Sequence, residues 1–285
     1  MSEGGWRTRL RWVVVHPDDP TVLAARRDGA LFLPAAERPG QVWTADPDEV
    51  LADLRELLGV DAVLLRCLDQ DEDPAARVQR ATLLAVPLAV PALPPGMAWA
   101  GRAELAGGGG DAALAARVVE ELEAGDTRAA VQPWAARGWF ADAEGWLRSA
   151  MEAAGRPVTG PVRQVRVWEL SCLLRAPTSA GDVWFKANLA APLFVDEGTV
   201  MGTLARLFPD RVPAPLAVDA GRGWMVLADF GEEVGWGAPV GVVEEVARAH
   251  ARMQVEAAAH VDRLLAAGCH DRRLDRLAAE AEAWL

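Results

Sequence analysis

A chain of 285 residues, 51% of them hydrophobic, holds material for about two domains with real cores. Its formal net charge of −12 argues against binding nucleic acid through the phosphate backbone, which basic patches carry, and equally against an anionic membrane surface. Cys67, Cys172 and Cys269 are isolated and the four histidines scattered, so neither a disulfide framework nor a zinc site is indicated. The longest apolar stretch, 83–95, is interrupted by four prolines and too short to span a bilayer, and no long apolar leader follows the N-terminus, since residues 12–15 run at once into His16-Pro17-Asp18-Asp19. A reduced cytoplasm is the expected compartment.

In chain order, strands are expected at 9–15, 22–25, 30–33, 61–68 and 81–89, and a helix at 47–58 with Val50, Leu51, Leu54, Leu57 and Leu58 on one face. Leu31-Phe32-Leu33-Pro34, Gly40 and then Leu54-Arg55-Glu56-Leu57-Leu58-Gly59-Val60 resemble the Nudix fold and its helix. The resemblance implies Mg²⁺ held on adjacent glutamates after the Arg-Glu-apolar triplet, but here Leu58-Gly59 follows directly and only Glu56 remains. A lone carboxylate is a poor site for a hard, near-octahedral cation. Glu49, Asp53 and Glu56 fall three or four residues apart on the expected helix and are either a substitute ligand set or its solvated side. A degenerate, ligand-sensing or packing domain is therefore expected over 1–128.

The glycines at 107–110 mark the end of that unit, followed by a helix at 111–124. A tryptophan-rich helical connector is expected over 129–160, where Trp134, Trp139 and Trp146 suit burial against a neighbouring domain better than a stacking platform for bases in so acidic a chain.

Lys186 is the only lysine among 29 basic residues. Arginine and lysine serve alike as solubilising surface charges but not as a compact point charge at a phosphate. Lys186 lies in Val183-Trp184-Phe185-Lys186-Ala187, the second strand of a hairpin whose turn is Thr178-Ser179-Ala180-Gly181-Asp182. Beyond it, Val200, Met201, Leu204 and Leu207 recur at helical spacing, which puts Glu197 in the first turn of a helix near the strand. A strand lysine held by a helix glutamate sits over the α- and β-phosphates of a nucleotide in kinase-like enzymes. Residues 212–219 and 223–231 read as two further strands, the second leaving through a glycine.

From about Gly160 onward this order of parts resembles the N-terminal lobe of the aminoglycoside phosphotransferase family, a branch of the protein-kinase-like fold. The resemblance implies that Lys186 contacts ATP phosphates, that Glu197 orients it, that Leu227, Ala228 and Asp229 form the hinge beside adenine, and that the turn at Ser171 covers the triphosphate. Lys186 could instead be an accident of composition and Glu197 an ordinary helix-start acid. Asp229-Phe230-Gly231 is read as a hinge exit and turn, since a metal-binding triplet of that kind follows a catalytic loop, and none lies between it and Lys186.

Asn188 is the only asparagine, so no His-x-Asp-x-x-x-x-Asn loop lies downstream of the hinge. His260-Val261-Asp262 is expected inside a continuous helix running to Ala267, with Val246, Met253, Val261, Leu264 and Leu265 on its apolar face. An apolar stripe through Leu274, Leu277, Ala281, Trp284 and Leu285 is expected to need a missing lobe or partner. The whole reads as α+β, with a kinase-like nucleotide-binding lobe at 161–235 and the helical start of an incomplete lobe at 236–285. The functional expectation is an ATP-dependent phosphotransferase for a hydroxyl of a small molecule such as an aminoglycoside or sugar, with catalytic Asp and Mg²⁺ ligands in the absent lobe. The alternative is a catalytically silent nucleotide-binding or interaction protein.

Overall fold

The structure, a computed structural model, describes residues 5–125, 132–189, 195–231, 234–235, 237–274 and 276–277. It is α+β and divides into two compact units, Met1–Ser149 with Pro161–Arg175, and Ala150–Gly160 with Ala176–Leu285.

The first unit is built on two sheets. Strands β1 (Arg7–Val14), β4 (Ala35–Pro39), β5 (Ala62–Asp73) and β6 (Val78–Pro87) form a mixed sheet in the order β4-β1-β6-β5, with β1 parallel to β6. The second sheet orders β2 (Val22–Arg27), β3 (Ala30–Phe32), β7 (Met97–Ala100) and β8 (Gly109–Gly110) as β7-β2-β3-β8. Central β6 is buried along nearly its whole length, as its apolar run requires, whereas β1 begins with alternating burial. The glycines expected to end the unit belong to its second sheet, and the unit runs on to Ser149: β8 pairs parallel with β3, Gly109 opposite Ala30. Gly110 has φ +69°, and a Cβ there would fall 2.4 Å from the Leu31 carbonyl oxygen, so only glycine fits.

The helix expected at 47–58 is two short ones, α1 (Pro47–Val50) and α2 (Ala52–Leu58). Asp46 caps α1 by accepting the Asp48 and Glu49 N–H groups, Pro47 suits the first turn, and α2 ends on Gly59 in the left-handed region. Val50, Leu51, Leu54 and Leu58 are buried as expected, but Leu57, at the edge of the face that Leu54 and Leu58 share on α2, is exposed. Helices α3 (Arg102–Leu105) and α4 (Ala112–Glu123) follow, then a 3₁₀ turn at Pro133–Ala135 and α5 (Trp139–Ala153). Trp134 and Trp139 are buried and their rings meet edge to face at 6.4 Å. Strand β9 (Arg163–Val167) pairs antiparallel with the first half of β10 (Ser171–Thr178).

In the second unit β11 (Gly181–Asn188), β13 (Trp224–Ala228) and β12 (Ala217–Asp219) lie in that order, β11 and β12 both antiparallel to β13. The expected hairpin is present: the Thr178 hydroxyl accepts the Ala180 N–H, and Gly181 turns with φ +98°. Phe185 and Trp224 pack edge to face at 5.4 Å within the core of Val183, Ala187 and Val226, while Met225 is buried on the other face. Helix α6 (Glu197–Leu207) lies between β11 and β12 in sequence, and α7 (Val240–Ala257) and α8 (Val261–Ala266) follow.

The helix expected to run unbroken to Ala267 is interrupted by a 3₁₀ turn at Ala258–His260. Its expected apolar face is not buried: Val246 is 55% and Val261 48% exposed, and no residue of α7 is buried. Leu274 and Leu277 are exposed, while Ala281, Trp284 and Leu285 lie outside the described residues. No helix among the described residues is long and apolar enough to cross a membrane.

Candidate functional site

Alternation along β11 sends Val183, Phe185 and Ala187 into the core, leaving Lys186 and Asn188 together on the opposite face. Glu197 opens α6, whose cap Asp196 accepts the Thr199 N–H at 3.3 Å. The helix start reaches the strand because residue 198 is glycine: a Cβ there would lie 2.8 Å from Val218 Cγ1 and 3.4 Å from Met225 Cβ. The ammonium of Lys186 donates to Glu197 Oε1 at 2.9 Å and Oε2 at 2.7 Å. Asn188 Nδ2 donates to Oε2 at 2.7 Å. Two donors thus hold one carboxylate, and the lysine, with three N–H groups, keeps donor capacity for a ligand. The Lys186 and Glu197 side chains are 27% and 35% exposed, so the pair is open to a solute.

Lys186 stands opposite Met225 in β13, and Leu227 and Ala228 continue that strand toward its end opposite Trp184 and Val183. The Asp229 N–H donates to the Asp182 carbonyl at 3.1 Å, and its carboxylate accepts the Gly231 N–H at 3.0 Å, closing the expected turn at Asp229-Phe230-Gly231. Ser171, at the start of β10, belongs to the first unit. It is buried, and its hydroxyl accepts Trp168 Nε1 at 2.7 Å, so tryptophan closes the turn between β9 and β10. His260 is drawn to the Phe208 ring at 6.3 Å and sits beside the break between helices.

Asn188 and Gly198 are the parts of the site that sequence reasoning passed over. The i, i+2 spacing of Lys186 and Asn188 on a strand, and a glycine in the first turn of a helix, were the available signals.

In the first unit the acids of the α1–α2 region are engaged singly. Glu49 accepts the Trp43 N–H at 3.1 Å, Asp53 faces Arg38 at 3.4 Å, and Glu56 is exposed. Among the described residues no group of three His, Cys, Asp or Glu side chains could hold a metal ion.

No family model matches the chain, and no curated protein matches it. Solved structures do. The chain is similar to a Sinorhizobium meliloti protein described as an oxidoreductase, at 22% identity over 41% of this chain and 38% of that one, with a TM-score of 0.31. It is similar to a hydrolase of the NUDIX family from Clostridium perfringens at 9% identity, over 41% of this chain and 99% of that one, TM-score 0.32. An ADP-ribose pyrophosphatase from Streptococcus suis is similar at 16% identity, over 41% and 91% of the two chains, TM-score 0.29.

Proposed function

We propose that the second unit binds ATP through Lys186, as the nucleotide half of a phosphotransferase for a hydroxyl of a small molecule such as an aminoglycoside or sugar. The observation that supports this reading is the ion pair of the chain's only lysine with Glu197, at 2.7 Å, from a strand to the first turn of a helix. Kinase-like enzymes hold their phosphate-binding lysine this way, and the ordered parts around it here, hairpin, helix and two more strands, match that use. On this reading Glu197 fixes the ammonium, Lys186 offers positive charge to the α- and β-phosphates, and Leu227, Ala228 and Asp229 border the base. Mg²⁺ would accompany the triphosphate and neutralise charge on it. The described residues offer no cluster of ligands for the metal, so no residue of the chain is assigned to it.

The lack of any asparagine after Asn188 favours a second reading, nucleotide binding without transfer by this chain. For the first unit, α1 and α2 placed between β4 and β5, with Leu54-Arg55-Glu56 on α2, support a Nudix-like scaffold that does not hydrolyse, since paired glutamates do not follow. The test is calorimetric binding of a non-hydrolysable ATP analogue to the chain. Lys186→Met should weaken binding roughly 10-fold or more, as loss of one charge-assisted contact predicts, and Lys186→Arg should rescue it poorly. Unchanged affinity in Lys186→Met would overturn the reading.

A further inference from the structure

The first unit contains a cavity of about 350 Å³ that the site above does not use, lined by Trp43, Arg66, Cys67, Gln70, Trp134 and Trp168 among others. Its unusual member is Arg66. The residue lies in the apolar part of β5, and register shifts against β6 fall between Leu64 and Arg66 and again between Cys67 and Asp69. Such irregularities re-aim a side chain that regular alternation would direct elsewhere. Arg66 is only 7% exposed, and Nη2 meets Glu121 of α4. Its Nε and Nη1 have no hydrogen-bond partner among the described residues. Buried guanidinium donors left unmet are costly, so this geometry calls for an acceptor, and a guanidinium favours a planar or phosphate oxyanion.

The tryptophans define the rest of the ligand. Trp134 Nε1 donates to the Trp168 carbonyl at 3.2 Å, and Trp168 Nε1 to Ser171 Oγ at 2.7 Å, so the polar edges of both indoles are committed within the protein. Trp43 and Trp168 are nonetheless 50% and 42% exposed, a large apolar area to leave at a cavity lined by a charged group. The Arg166 guanidinium lies 4.6 Å from the centroid of the Trp43 ring, adding positive charge near the cavity, while Glu169 contributes the opposing carboxylate in its lining. The volume lies at the small end of the range of roughly 300–1,000 Å³ typical of ligand pockets, which suits a mononucleotide-sized molecule or a smaller one.

We propose that this cavity binds a planar aromatic anion, its ring stacked on the exposed indoles of Trp43 and Trp168 and its phosphate or carboxylate held by the Arg66 guanidinium through one of its unmet N–H groups. The site is separate from the nucleotide site proposed at Lys186 and does not depend on it. The test is titration calorimetry on the full chain carrying Lys186→Met, so that binding at the second unit is weakened, and the Arg66 and Trp43 variants below assign what remains to this cavity. Four probes are used: AMP, indole-3-carboxylate, adenosine as ring without anion, and inorganic phosphate as anion without ring.

The expected result is one-to-one binding of AMP or indole-3-carboxylate, with adenosine and phosphate at least about 10-fold weaker; the tighter of the two anions identifies phosphate or carboxylate as the natural group. Arg66→Gln and Trp43→Ala should each weaken that binding by a similar factor, with an unchanged circular dichroism spectrum. Trp43 is half exposed, so its variant carries the test if Arg66→Gln does not fold. Failure of both anions to bind would overturn the proposal, as would binding that neither folded variant weakens.

Discussion

The side-chain amide of Gln164 pairs with the backbone of Leu64 from both ends, accepting its N–H at 2.8 Å and donating to its carbonyl at 2.9 Å. Gln79 does the same to Val42, at 2.9 and 3.1 Å. Each buried glutamine stands in for a strand neighbour and satisfies one residue's backbone N–H and carbonyl. For β5, an edge strand of its sheet, Gln164 seals the open side at Leu64.

Gln164→Leu should therefore destabilise the first unit by roughly 2–5 kcal/mol, because two buried backbone groups lose their partners while little volume changes. Gln164→Glu should fare no better, since a carboxylate cannot donate to the Leu64 carbonyl and is costly to bury. Urea unfolding followed by circular dichroism checks both; a loss below about 0.5 kcal/mol for the leucine variant would mean that water takes over the two groups.

These glutamines also mark the limit of what the sequence reveals. Strands β1, β2, β3, β5 and β6 were legible because apolar, β-branched residues run there between turn residues. Strands β4 and β7 were not: each is short, and β4 is exposed or half-buried throughout, so no apolar periodicity distinguishes it from loop. Arg66 reads as a solvated charge in any pattern count, and only the shifted register of β5 explains its burial. The Lys186–Glu197 pair was legible for the opposite reason. A single lysine in an arginine-rich chain needs no long-range information to be noticed, and a carboxylate at a helix start is a local signal. The exposure of α7 depends on contacts that its periodic valines do not encode.

Gly198 is expected to tolerate no side chain without loss. A methyl group would gain up to about 1 kcal/mol of helix propensity, but it would meet Val218 Cγ1 at 2.8 Å, Cγ2 at 3.2 Å and Met225 Cβ at 3.4 Å. Overpacking of this kind costs about 1–3 kcal/mol, so Gly198→Ala should destabilise by about 1 kcal/mol net. Val218→Ala removes both methyl contacts at a partly exposed position, so the double variant should recover most of the loss. Thermal or urea unfolding of the four chains closes the cycle; strictly additive effects would show that α6 shifts as a body and that the glycine is not what brings Glu197 to Lys186.

Glu197→Gln separates a structural pair from a functional one. Ion pairs with this much exposure contribute about 0–1 kcal/mol, so the unfolding midpoint should hardly move. Nucleotide affinity should nevertheless fall by about 10-fold, because the ammonium is no longer held in place. Asn188→Ala, which removes a second donor from the same carboxylate, should cost a few-fold. Calorimetry with the ATP analogue reads both, and a glutamine variant that loses stability but binds normally would make the pair a structural contact only.

Cys172 supplies a pH signature. It is fully buried, and burial pushes its thiol from 9.0 up to about 12, only partly opposed by the Gln164 amide at 3.9 Å. The folded state therefore holds this proton more tightly than the unfolded chain. The resulting stability is intact below pH 9 and is lost as the pH rises from about 9 to about 12, with a slope of about 1.4 kcal/mol per pH unit. Few other groups confuse that window, since the chain has no tyrosine and one lysine. Cys67 and Cys269 are also raised by burial and act in the same direction, so the measurement is a difference between wild type and Cys172→Ala. Urea midpoints taken at pH 8, 9 and 10 should fall more steeply for wild type than for the alanine variant, and iodoacetamide should label Cys67 and Cys269 well before Cys172. Equal slopes, together with early labelling of Cys172, would mean that β10 opens and the thiol is exposed in the folded chain.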